Sequence, residues 1–118
     1  MRTRAHQHLI WDRHRQMLRL RAALREFFPA ALEAFPDLTA PDALELLAAA
    51  PDPDRAARLS RSKIAAALRR ARRRDVEAKA VEVQAALRSA QLTQPAELAG
   101  AYAATVRASV ALIAAINT

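Results

Sequence analysis

A chain of 118 residues has room for one modest hydrophobic core, burying roughly two-thirds of its unfolded surface. Hydrophobic residues make up 53% but aromatics only 4%, so the apolar material is mostly alanine, leucine and isoleucine, which favours packed helices. One glycine and no cysteine argue against a glycine-rich phosphate loop, all-β hairpins, disulfides, thiol nucleophiles and thiolate zinc sites, with the cytoplasm as the default compartment.

The net charge of +7 is unevenly distributed. Residues 1–25 carry seven arginines against Asp12, and residues 26–54 carry seven acids and no base. Residues 55–74 then hold nine bases and no acid, while residues 75–118 are nearly balanced, with three bases and four acids. Nine positive charges in twenty residues repel one another unless a polyanion or an acidic protein surface neutralises them. The bland alternative is a solvated face in an arginine-rich composition, since 17 of the 19 bases are arginine.

The first predicted element is a long amphipathic helix over about residues 4–28. Ile10, Met17 and Leu24 fall seven apart, and Leu20 and Phe27 complete a seam of coiled-coil type. Arg13 occupies one seam position and needs a partner there, while Arg15 and Arg19 give the opposite face a basic character. Prolines at 29, 36 and 41 divide the acidic region into short pieces. Thr39, Ala40, Pro41 and Asp42 read as a capped helix start running to about Ala49, with Leu44 and Leu47 inward. Asp52 can cap a short helix at Pro53, and Ser60 can cap the next, whose apolar face is Ile64, Leu68 and Ala71.

Arg69, Arg70, Arg72, Arg73 and Arg74 crowd the end of that helix, where cations complement the helix dipole. Asp75 is a candidate cap for a further helix with Val76, Ala80, Val83, Leu87 and Ala90 on one face. Residues 91–95 break the chain, and a last helix from about Pro95 carries Leu98, Tyr102, Val106, Val110, Ile113 and Ile116. Arg107 interrupts its apolar run, which favours a packed helix over a membrane span. No glycine or proline terminates it, so the expectation is a helix that continues in a longer protein.

The expected fold is therefore all-α: long antiparallel terminal helices of coiled-coil type (residues 1–28 and 93–118) with shorter helices between them (residues 29–92). His6, His8 and His14 are spaced by two, six and eight, whereas ligands sharing a helix face are three or four apart, so no metal site is expected. No serine, histidine and aspartate set is placed for catalysis, and Asp52 and Asp54 read as cap and solvent groups. Residues 53–74 could form a helix-turn-helix offering Arg61 and Lys63 at the start of its second helix, although the turn lacks the usual glycine. A bundle element with a phosphate-facing arginine surface is the favoured reading. If it neutralised about seven phosphates, binding would weaken something like a thousand-fold between ~50 and ~200 mM salt.

Four strings occur in a familiar order: WDRHRQMLRLRAALREFFPAALEAFPDLTAPDALELL, RLSRSKIAAALRRARRR, VEVQAALRSAQLTQP and AYAATVRASVALIAAIN. Together they resemble the middle of an insertion-sequence transposase of the IS-one-ten group. That resemblance implies a helical, coiled-coil segment between a RuvC-like DEDD nuclease domain and a domain bearing a catalytic serine, in a bacterial recombinase guided by a structured bridge RNA. Neither the acidic metal ligands nor the serine can be placed on any residue of this sequence. The expectation is a truncated or isolated non-catalytic segment, without a cofactor of its own, because the family's divalent metal belongs to the nuclease domain.

The expected partners are DNA or guide RNA, contacted at phosphates by Arg61, Lys63, Arg69, Arg70, Arg72, Arg73 and Arg74, with Arg15 and Arg19 secondary. Homo-oligomer formation through helix packing is expected, with no membrane and no small-molecule substrate. The rival expectation is a free-standing protein-interaction bundle whose basic stretches meet the acidic middle of a neighbouring copy.

Overall fold

In the computed structural model, the described residues are 2–89 and 96–117, with side chains described from 7 to 89, at 98 and from 100 to 117. They form seven α-helices and no strand: α1 (Arg2–Phe27), α2 (Pro29–Ala34), α3 (Pro41–Ala49), α4 (Pro53–Arg58), α5 (Arg61–Arg70), α6 (Val76–Leu87) and α7 (Ala96–Asn117). Proline opens α2, α3 and α4, where its missing N–H leaves no helical bond unmade.

The local signals act where the chemistry is local. Asp52 caps α4 by accepting from the Arg55 N–H at 2.8 Å, and Ser60 caps α5 by accepting from the Lys63 N–H at 3.2 Å. Two other expected caps are not made. Thr39 turns back onto Asp37, its N–H and hydroxyl both donating to Asp37 Oδ1 at 3.0 and 2.7 Å, so Ala40 stands at the cap of α3 without a side-chain bond. These two bonds, the hydroxyl's the stronger, hold the Asp37 carboxyl below its ordinary 3.8. Asp75 adopts a left-handed conformation (φ 52°) and its side chain caps nothing.

The helices close a ring. α1 packs on α7, α7 on α3, α3 on α5, α5 on α6, α6 on α2 and α2 back on α1, with α4 against α6. One core runs through the ring, and its large, fully buried members include Leu24, Phe28, Leu47, Ile64, Leu68 and Ile113. The molecule measures 47 × 35 × 17 Å. A helix with its side chains is about 10 Å across. The slab is therefore less than two helices thick, and most helices keep one face open to solvent.

α1 and α7 run antiparallel. Phe27 stacks on Tyr102 with ring centroids 4.1 Å apart, and at the other end Arg13 Nη1 donates to Asn117 Oδ1 at 3.0 Å. Asn117 is thus the partner Arg13 required, and its Nδ2 donates to the Thr39 carbonyl at 3.0 Å, tying the end of α7 to the segment before α3. The expected α1 seam is realised only in part. Leu20, Leu24 and Phe27 are buried, Met17 is half-buried at the edge of the core, and Ile10 is 41% exposed. Ile10 lies a turn before Arg13, whose partner Asn117 is the last described residue of α7.

In α7, Val106, Val110 and Ile113 reach the core, whereas Leu98 is 42% exposed rather than inward. Residues Gly100–Asn117 are long and apolar enough, by length and composition, to cross a membrane. That same stretch supplies core residues to the ring. Ala90 and residues 91–95, read from the sequence as a helix face and a break, lie outside the described residues.

Candidate nucleic-acid interface

The nine bases of residues 55–74 are not an uncompensated block. Arg55 pairs with Asp52 at 3.3 Å, Arg58 with Asp54 at 2.6 Å, Arg69 with Glu77 at 2.8 Å, Arg70 with Glu45 at 3.0 Å and Arg73 with Asp42 at 2.8 Å. Three residues placed in the phosphate-binding set, Arg69, Arg70 and Arg73, are therefore engaged by acids of the same chain. Their pairs differ in strength. Arg58–Asp54 and Arg69–Glu77 are well exposed, and such pairs contribute about 0–1 kcal/mol, so phosphate can displace them. Arg73 meets a buried acid: Asp42 accepts from the Ala43 N–H at 2.8 Å with one oxygen and from Arg73 with the other.

Among the described residues, Arg61, Lys63, Arg72 and Arg74 are all exposed and make no side-chain hydrogen bond or ion pair. Arg61 and Lys63 stand in the first turn of α5, and Arg72 and Arg74 in the turn that follows it. α5 is presented rigidly. Its Ile64, Ala65, Ala67 and Leu68 face is buried, and at its start Arg88 Nε donates to the Ala57 carbonyl at 3.1 Å, gripping the α4–α5 connection from the end of α6.

The α5 terminus explains how the later arginines project. Arg73 N–H donates to the Leu68 carbonyl at 3.0 Å and Arg72 N–H to that of Arg69 at 2.9 Å, the two bonds of a Schellman ending. The left-handed position that glycine usually fills holds Arg72, at φ 59°. Arg72 and Asp75, both left-handed, bracket Arg73 and Arg74 in a tight corner between α5 and α6. Sequence reasoning located the cluster but missed this backbone, because no glycine or asparagine signals a left-handed residue there.

Arg15 and Arg19 are exposed on α1, away from the core face. The geometry of residues 53–74 differs from a helix-turn-helix reader in one respect: α4 has six residues and packs on α6, leaving α5 held mainly by α3 and α6. Among the described residues, no group of three histidine, aspartate or glutamate side chains is placed to hold a metal ion. An apolar groove of about 460 Å³ lies between α3, the end of α5 and α7, with Leu44 and Val110 in its walls and Glu45, Arg70 and Arg107 among its polar lining. Glu45 and Arg70 hold each other there.

Fold and site together define a ring of helices in which α5 carries free cations at both of its ends, a surface suited to phosphate. Over 74 residues the chain is 42% identical to a Streptomyces coelicolor (strain ATCC BAA-471 / A3(2) / M145) protein named as the candidate mini-circle transposase for IS117. The match takes in 59% of this chain and 18% of that protein, so the chain spans under a fifth of the relative's length. The similarity is therefore to one part of a protein named as a transposase. No protein-family model matches the chain, and no solved structure matches it.

Proposed function

We propose that the chain acts in DNA transposition as a non-catalytic helical segment that contacts the phosphates of DNA or of a structured guide RNA. The observation that carries this reading is the 42% identity to a protein named for transposition, on a chain that carries free cations at both ends of α5. The acids support the non-catalytic part: Asp42, Glu45, Asp52 and Asp54 are each engaged by arginines of the same chain. That engagement also leaves few acids in residues 26–54 for a neighbouring copy, which weighs against the interaction-bundle alternative. On this reading the segment belongs to a bacterial, cytoplasmic recombinase of the IS-one-ten group. The α1–α7 pair is then its coiled-coil element for packing against sister subunits, and divalent-metal chemistry belongs to the nuclease domain of that group.

The contact is to phosphate, made by Arg61, Lys63, Arg72 and Arg74 first, with the exposed Arg58 and Arg69 able to exchange partners. With four phosphates neutralised, the logarithm of duplex affinity falls against the logarithm of salt with a slope of about −4. Between ~50 and ~200 mM salt that is a loss of about a hundred-fold, smaller than the count of nine bases suggests. Fluorescence anisotropy with labelled duplex DNA and structured RNA checks it. Replacing Arg61, Lys63, Arg72 and Arg74 together by alanine abolishes the salt-dependent binding by the two ends of α5; undiminished affinity and slope in that variant would remove the reading.

A further inference from the structure

The back of α1 does not match its expected basic character alone. Trp11 is 63% exposed and Leu18 50% exposed, two of the largest apolar side chains left open to water. With Arg15, Ala22 and Arg25 they recur at intervals of four, three, four and three, so all five share one helix face. That face lies opposite the buried Leu20, Leu24 and Phe27. The stripe covers about 21 Å along the helix axis.

Its chemistry narrows what can cover it. Trp11 and Leu18 are two turns apart with arginine between them, far less apolar area than the ~800 Å² per partner of a stable protein interface. Arg15 and Arg25 have no acidic partner among the described residues. Of the acids near this face, Asp12 and Glu26 both lie along one flank, and Glu26 accepts from the Tyr102 hydroxyl at 2.7 Å. A second copy would bring a stripe of the same positive sign against this one. A ligand with a flat π-face and a string of negative charges meets both demands: the indole offers a stacking platform, and the guanidiniums on either side of Leu18 meet phosphates.

We propose that the Trp11–Arg15–Leu18–Arg25 face of α1 binds unpaired nucleotides, a base stacking on Trp11 while Arg15 and Arg25 hold the flanking phosphates. The site is separate from the free cations at the two ends of α5 and takes single strands or splayed loops rather than duplex, because a base inside a helix cannot offer its face to the indole. It deepens the nucleic-acid reading given above and rests on it for the ligand class only.

Trp11 is the sole tryptophan of the chain, so its emission reports this site alone. Titrating the full chain with a short oligouridylate at ~50 mM salt quenches that emission, and raising the salt to ~200 mM reverses the effect. Anisotropy of the labelled oligomer then shows Trp11→Ala weakening single-strand binding roughly ten-fold, Trp11→Phe retaining most of it, and Arg15→Ala with Arg25→Ala removing it. Duplex affinity stays unchanged in both Trp11 variants. Circular dichroism establishes that each variant remains helical, as an exposed position predicts.

Four results would overturn the proposal. They are single-strand binding that leaves the emission unmoved, equal quenching by heparin, no single-strand binding at all, and an emission shift that depends on protein concentration without nucleic acid. The last would mean that a second copy covers the stripe. Loss of duplex binding in the Arg61, Lys63, Arg72 and Arg74 alanine variant is scored separately, so failure at one site leaves the other standing.

Discussion

Arg72 occupies a backbone position that most side chains avoid. At φ 59° its Cβ crowds the following carbonyl, a penalty of roughly 1–2 kcal/mol from which glycine is exempt. Arg72→Gly should therefore raise stability by about 1 kcal/mol while removing one of the four free cations, and urea unfolding measures it as a higher midpoint at an unchanged slope. A stabilised variant with weaker duplex binding would separate what this residue does for the fold from what it does for the ligand. Tyr102 shows a second effect at this scale. Its hydroxyl donates to Glu26, which raises its pKa above the ordinary 10.0. The bond is therefore present in the folded protein below that pH, and is lost as pH climbs through the raised value.

At the scale of helices, legibility followed distance along the chain. Asp52 and Ser60 were readable as caps because each bonds a backbone N–H three residues on. The inward faces of α3, α5 and α6 were readable because period 3.6 selects them directly. Ile10 was misread because a heptad pattern tells which residues share a face and not which of them a neighbouring helix covers. The open back of α1 was missed because attention to Arg15 and Arg19 passed over Trp11 and Leu18 beside them. Paired substitutions separate the two faces. Ile113→Ala, at a fully buried position on α7, should lower stability by about 2–5 kcal/mol, whereas Leu18→Ala should change it by less than about 0.5 kcal/mol, both by urea unfolding.

Across the whole molecule, the alternation of acidic and basic blocks is a folding device as well as a surface property. Arg70 meets Glu45 across 25 residues of sequence and Arg73 meets Asp42 across 31, separations that no local pattern discloses. The positive field left for a ligand is accordingly smaller than the composition implies, and its free cations stand at the two ends of α5. The uneven burial of α1 has its own outcome. Amides in the turn of Leu9, Ile10 and Trp11 sit among exposed side chains, while those of Leu20 through Phe27 lie beneath a neighbouring helix. Placed in heavy water, the first group should take up deuterium orders of magnitude sooner, with the frontier falling between Arg13 and Met17. Mass spectrometry of peptic fragments would trace that frontier, and an occupied Trp11 would push it toward the amino terminus.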